Sequence, residues 1–445
     1  MSGAQSKLEE LRKRVFFTLL ILGVFRVATQ VPTPGVDSSA LTSFFDGMQG
    51  SVFGVFNNFT GGALERFSVL ALGIMPYITS SIIFSLLTVS FPALGELQKE
   101  PEGHKRIQQW TRYATVLLCA IQGYGLSVGL EALKSPSGLP IVLEPGWSFR
   151  GLTVITLTAG TMFVMWLGEQ ITERGIGNGI SLIIFAGIAA GIPTGMRDTV
   201  NLFQNGELSG LNLGIVMAIM VVSFYIIIFT EKAFRKIPVQ YAKRVVNNRV
   251  FGGQASHLPV KVNISGVMPP IFASALLGFP TTVSQFIPEN LAVGGFQLKI
   301  FLDTIQNSLY PGKMLYNVVF VGLIIFFCYF YAQIQFKTGD ISENLRKNGG
   351  FIPGIRPGQK TAEFLDMVVT RLTLVGGIYV SAICIMPAIL FNVAKVPFYF
   401  GGTSLLILVG VAIDTMAQAE SFLISQRYDS AYKSRGKYSG AGRRF

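Results

Sequence analysis

The chain has 445 residues, of which 50% are hydrophobic and only 13% charged, with a formal net charge of +12. A soluble domain carries about a quarter charged residues, whereas here the apolar residues gather into runs of roughly 17–23, each long enough to cross about 30 Å of hydrocarbon as a helix. This excludes a soluble enzyme. Topology and lipid headgroups account for the positive charge, and the aromatic–basic interleaving of single-stranded nucleic-acid grooves is missing.

In chain order, the first apolar run is Val15–Val31, preceded by Lys7, Arg12, Lys13 and Arg14 in the manner of a signal peptide. It is too long for one, contains Arg26, ends in Pro32-Thr33-Pro34-Gly35 and lacks a small-residue cleavage site, so a retained first span is expected. Next comes Gly47–Arg66, too polar and glycine-broken to span, with Asn57, Asn58, Gly61 and Gly62 beside Phe53, Phe56 and Phe59. It fits an outside surface loop or a re-entrant segment, which a membrane tolerates only where protein or a water-filled cavity surrounds the backbone. The remaining spans fall near 68–90, 112–130, 151–171, 176–193, 211–230, 264–286, 314–336, 368–389 and 402–422. Two of the intervening loops, Glu231–Lys261 and Lys337–Thr370, are long, basic and rich in turn residues. Such loops serve as charged topology anchors or as docking sites for a cytoplasmic partner.

Of the 36 Lys+Arg residues, 28 fall on the segments sharing a side with the N-terminal tail and seven on the other side, with Arg26 inside a span. That bias puts both termini in the cytoplasm. Five spans per half then start from opposite sides in the two halves, 1–200 and 201–445. The expected fold is therefore an all-α membrane protein of ten transmembrane helices, its halves related as an inverted repeat about an axis in the membrane plane.

Cys119, Cys328 and Cys384 each lie in apolar runs, and His104 and His257 are far apart in charged loops, which leaves zinc and histidine chemistry without support. "GIRPGQKT" fails as a phosphate-binding loop, because Gln359 separates Gly358 from Lys360 and no strand precedes it. "GIGNGI" likewise lacks the strand–turn–helix setting of a dinucleotide fingerprint. Paired carboxylates and nucleophile–base pairs are absent, so neither an enzyme nor a cofactor is expected. The alternative from another class is a secondary transporter for a small solute, but its coupling residues would be Arg26, Glu169 and Asp414, scattered over three spans.

Five stretches carry a resemblance: "GGALERFSVLALGIMPYI" (Gly61–Ile78), "GTMFVMWLGEQITERGIGNGIS" (Gly160–Ser181), "SHLPVKVN" (Ser256–Asn263), "FIPGIRPG" (Phe351–Gly358) and "KVPFYFGGTSLLI" (Lys395–Ile407). In order and across nearly the whole chain, they resemble the SecY family of protein-conducting channels. The resemblance implies an hourglass channel that passes unfolded polypeptide across the bacterial inner membrane and releases apolar segments, signal sequences among them, sideways into lipid. It implies that Gly47–Arg66 is the plug, carried here by Phe56, Asn57, Phe59, Gly61, Gly62 and Arg66. It also implies a pore ring of Ile74, Ile78, Ile180, Ile184, Ile271 and Ile407. Isoleucines four apart share a helical face and are usually core or lipid-facing; as a ring they would resist wetting without gripping a passing chain.

Gly73 and Pro76 flank Ile74, and Pro269-Pro270 precede Ile271 where the family usually has one proline. Prolines bend helices, so spans two and seven are expected to be kinked; together with that flexibility the resemblance implies that they form a lateral gate, with Ser81 or Phe84 on one side and Ala275 or Phe279 on the other. The resemblance further implies docking of a motor ATPase, SecA, or of the ribosome through Lys243, Arg244 and Arg356, with Tyr428 tied to motor function. The small membrane subunits SecE and SecG and anionic lipids complete the expected partners.

Overall fold

A computed structural model describes residues 2–37, 41–42, 57, 60–132, 141–206, 209–241, 244–246, 249–251, 255–284, 292–293, 296–297, 313–394 and 402–439. Every expected span carries a helix. In chain order these are α1 (Ser2–Ala28), α2 (Met75–Ser90), the short α3 (Pro92–Lys99), α4 (Pro101–Ala132), α5 (Trp147–Arg174), α6 (Gly179–Gln204) and α7 (Gly210–Glu231). They continue with α8 (Met268–Ser284), α9 (Met314–Gln335), the short α10 (Thr338–Lys347), α11 (Gln359–Ala394) and α12 (Gly402–Ser439). Among the described residues seven helices are long and apolar enough to cross a membrane, and α2 with α3 forms a further pair bent by 107°. Phe91 makes that bend. It precedes a proline, which drives it into the extended region (φ −112°, ψ 108°), so one helix ends and the next starts on Pro92.

The chain divides into two compact units. The first comprises Met1–Asn201, Gly278–Pro311 and Val411–Phe445. Here α4 lies along α5, with α1 and α2 packed against them. One apolar cluster joins Leu64, Phe67 and Ala71 to Leu130, Ile141, Val142, Phe149 and Leu157.

Span two begins later than its sequence indicates: residues 68–74 run as turns, and helix starts only at Met75. Local turns hold part of this stretch, the Ala71 amide donating to the Ser68 carbonyl and the Gly73 amide to the Leu70 carbonyl, and at its start the backbone pairs sideways. The amide of Thr33 donates to the Phe67 carbonyl at 2.9 Å, and that of Val69 to the Val31 carbonyl at 2.9 Å. Phe67 pays no hydration cost, being 1% exposed, but adopts φ +43°, a conformation bulky residues avoid. Local helix is thus overridden by tertiary pairing.

The second unit comprises Leu202–Leu277 and Gly312–Gly410. In it α11 packs against α7, α9 and α10. Its two long loops are not loose. The first forms β1 (Phe234–Tyr241) and β4 (Ala255–Lys261), paired antiparallel from Phe234↔Lys261 to Gln240↔Ala255. Between them β2 (Arg244–Val246) and β3 (Arg249–Phe251) make a smaller ribbon. A separate short ribbon in the first unit pairs β5 (Ala292–Val293) with β6 (Phe296–Gln297). The second long loop supplies β7 (Gly350–Phe351), which joins the other edge of β1 at Gln240 and Tyr241. Ile237, Val260, Ile352 and Leu365 close a small core beneath this three-stranded sheet.

The expected kinks are corrected. Pro76 sits in the first turn of α2, and Pro269 and Pro270 follow the first residue of α8. The first amides of a helix have no intrahelical partner, so prolines there begin helices without bending them. Among the described residues, prolines stand inside helices at Pro193 in α6, Pro280 in α8 and Pro387 in α11.

Candidate functional site

Each of the six isoleucines falls within the first two turns, or at the cap, of one of four helices. Ile74 is the N-cap residue of α2 (φ −96°, ψ −1°), and its carbonyl accepts the Ile78 amide at 3.1 Å. Ile180 and Ile184 open α6 and Ile271 opens α8, where its carbonyl accepts the Ser274 hydroxyl at 2.9 Å. Ile407 lies early in α12. In the first unit Ile74, Ile78 and Ile184 are buried and Ile180 is half-buried; in the second, Ile271 and Ile407 are buried. All six are branched apolar side chains, which offer contact without hydrogen bonds or charge.

The end of the stretch expected to form a plug is anchored firmly. Phe56 and Phe59 lie outside the described residues, but Asn57 is described. Its side-chain amide donates to a Glu65 carboxylate oxygen at 3.1 Å, and its own oxygen accepts the Glu65 amide at 3.0 Å. Its carbonyl takes the Gly62 amide at 2.9 Å and the Thr60 hydroxyl at 3.1 Å. From α1 the Arg26 guanidinium donates to the Gly61 carbonyl at 3.1 Å. Gly61 holds φ +70°, and a Cβ there would come within 2.7 Å of Arg26 Nη1 and 2.9 Å of the Gly187 backbone in α6. Only glycine fits. Arg66 donates to the Gln30 side chain.

Arg26, the arginine inside span one, is therefore committed to the Gly61 carbonyl. Glu169 is committed as well, in an ion pair of 2.7 Å with Arg112, and Asp414 takes part in an interaction of its own. A coupled transporter needs such groups available to bind and relay. Among the described residues no cluster of three His, Cys, Asp or Glu side chains offers a metal site.

Of the gate residues, Ser81 and Phe84 are half-buried on α2 and Ala275 is buried on α8, while the Phe279 side chain lies outside the described residues. Among docking residues Lys243 lies outside the described residues, as do the side chains of Arg244 on β2 and Tyr428 on α12. Arg356 is fully visible. It follows a tight turn in which the Ile355 amide donates to the Ile352 carbonyl at 3.1 Å, with Pro353 and Gly354 (φ +79°) at the corner. The Thr361 hydroxyl donates to the Arg356 carbonyl at 2.9 Å, and the Ser342 hydroxyl to the Gly358 carbonyl at 2.6 Å. The guanidinium is thus exposed on a backbone that has little freedom.

Sequence reading missed Arg26 as the partner of Gly61, because an arginine in an apolar run announces no partner 35 residues on. It also missed the buried carboxylate of Glu231, whose Oε1 accepts from the Asn263 amide at 2.7 Å where α7 ends and the chain approaches α8.

Fold and site together define a multi-spanning helical membrane protein whose candidate working residues are isoleucines, not ionisable groups. The SecY family model matches residues 68–416. The chain is 46% identical over 442 residues to the protein translocase subunit SecY of Escherichia coli K12, covering 99% of this chain and 98% of that one. It is 47% identical over 425 residues to the same subunit of Rickettsia felis, covering 95% and 96%. Among solved structures it matches a protein-conducting channel with TM-score 0.66 at 17% identity, over 94% of this chain and 93% of the other. It also matches a SecY structure described for its plug domain, with TM-score 0.63 at 18% identity over the same shares. The chain belongs to the SecY family.

Proposed function

We propose that this chain is the channel-forming subunit of a bacterial protein translocase, a multi-pass inner-membrane protein that passes unfolded polypeptides across the bilayer and releases apolar segments sideways into it. The observation that carries the reading is full-length identity of 46% to a subunit named for that work. The local geometry supports it. Buried isoleucines open four helices, a plug end is latched to α1, and the interior arginine and glutamate are already paired.

Within this reading Ile74, Ile78, Ile180, Ile184, Ile271 and Ile407 form the constriction, and the stretch from Phe56 to Arg66 closes it from outside. Ser81 and Phe84 on α2 and Ala275 and Phe279 on α8 line the lateral exit. Both termini are cytoplasmic, and the halves 1–200 and 201–445 are an inverted repeat. SecE and SecG are the small membrane subunits, and SecA or the ribosome docks on the cytoplasmic loops through Lys243, Arg244 and Arg356, with Tyr428 at the motor. A solved relative is described as Sec61 in a ribosome–channel complex, which supports the ribosome as a partner of this chain.

The test is reconstitution. The purified complex in proteoliposomes, given SecA, ATP and a precursor bearing a signal sequence, should yield protease-protected precursor. Absence of protected precursor, with uptake of a small solute down an ion gradient instead, would overturn the reading in favour of a transporter.

A further inference from the structure

The motif "GIGNGI", rejected above as a nucleotide site, is a turn tied from three helices of the first unit. It joins α5 to α6, and nearly every amide along it is spoken for, although few partners belong to the turn itself. The Gly175 amide donates to the Ile171 carbonyl at 2.8 Å, closing α5. The Ile176 amide donates to the Thr18 hydroxyl of α1 at 3.1 Å. The Gly177 amide donates to Gln418 Oε1 of α12 at 3.1 Å. The Gly179 amide donates to the Thr172 hydroxyl of α5 at 2.9 Å. Asn178 then caps α6, its Oδ1 accepting the Ile180 amide at 3.1 Å and the Ser181 amide at 3.3 Å.

The neighbours also stand too close for any side chain. Gly177 has φ +91°, and a Cβ would fall 2.7 Å from Leu182 and 3.0 Å from the Thr415 hydroxyl. At Gly175 a Cβ would lie 2.5 Å from the Thr18 hydroxyl. Thr18 is itself buried and returns its own proton to the Arg14 carbonyl at 2.9 Å. A backbone fixed from α1, α5 and α12 at once has no freedom to slide or rotate, and α6 begins immediately after it with Ile180 and Ile184.

We propose that Thr18 and Gln418 are positioning residues for the constriction: by holding the Ile176–Gly177 amides they set the height and rotation at which α6 presents Ile180 and Ile184. This rests on the reading of those isoleucines as pore residues. Removing a tie leaves a turn amide without its partner and lets the start of α6 shift, which loosens the seal of the idle channel.

The test uses the purified complex in planar bilayers without precursor. Thr18→Val keeps the shape but loses the acceptor, and Thr18→Ser restores it. Gln418→Ala removes the second tie at an exposed position where folding is not at stake, and Gln418→Glu keeps the acceptor. Thr18→Val and Gln418→Ala should each raise idle conductance roughly 5–30-fold, the shift expected from losing one such bond, while Thr18→Ser and Gln418→Glu stay near the parent. Ile184→Gly serves as the reference for the ring itself. If Ile184→Gly leaks while Gln418→Ala is as tight as the parent, positioning by the turn is wrong and the ring reading stands. Leak in Thr18→Ser equal to that in Thr18→Val would likewise overturn the proposal. If Ile184→Gly does not leak, the ring reading falls and the positioning role falls with it.

Discussion

At Gly61 a single hydrogen atom decides the geometry. The residue holds φ +70° with Arg26 and Gly187 against the place a Cβ would occupy. Gly61→Ala must therefore displace the Arg26 guanidinium or strain the backbone, at a cost of about 1–3 kcal/mol. The expected outcome is a lower midpoint in thermal unfolding of the detergent-purified complex, together with a leakier idle channel. Arg26→Met removes the bond to the Gly61 carbonyl but not the packing stem, so it should loosen the plug end with a smaller loss of unfolding midpoint. Equal midpoints for Gly61→Ala and the parent would show that the plug end is not held as described. The glycine was legible in the sequence as part of a family motif. Its partner was not, because an arginine within an apolar run reads as an anomaly of the span, and nothing local in the chain points from Arg26 to Gly61.

The elements divide by how their signals are written. Spans are announced by long apolar runs, and each expected one carries a helix; the error lay at the start of span two, where pairing with Val31 and Thr33 replaces the first helical turns. The strands of the two long loops escaped notice for a different reason. β1 does alternate, with Ile237 and Val239 buried between exposed neighbours, but Pro238 and Pro259 disguise both strands, since proline demotes a strand reading. It is tolerated because β7 reaches only Gln240 and Tyr241, leaving the rest of β1 with one open edge. The pairing of Gln240 and Tyr241 with Phe351 and Gly350, in a different loop far along the chain, has no local signature at all.

The sheet makes separable predictions. Leu365→Ala empties part of the small core under it and should cost about 2–5 kcal/mol, read as earlier proteolysis of both loops. Arg356→Glu changes an exposed charge on an intact turn. It should slow association with SecA or ribosomes and reduce the salt dependence of binding, with unfolding unchanged. Unaltered SecA and ribosome binding and normal precursor translocation in that variant would remove the loop tip from the mechanism.

For the whole molecule, sideways release requires a seam between helices. Cysteines at Ser81 or Phe84 in α2 and at Ala275 or Phe279 in α8 should form disulfides on oxidation. The native Cys119, Cys328 and Cys384 are all buried and compete poorly for oxidant. Locked complexes should fail to insert apolar segments, and reduction should restore insertion. Normal insertion by a fully locked channel would place the exit elsewhere.

The tie between Gly177 and Gln418 spans 241 residues of chain. Ribosomes add about 5–20 residues each second, so roughly 10–50 s separate the synthesis of the two ends. During that interval α1, α4, α5 and α6 already exist, yet the Gly177 amide has not met its acceptor, and the first unit lacks its closing segment, Val411–Phe445. The channel is thus a structure whose earliest-made half is finished by its latest-made helix. A nascent chain arrested before α12 would hold its first helices in the bilayer with the turn at Gly177 still open.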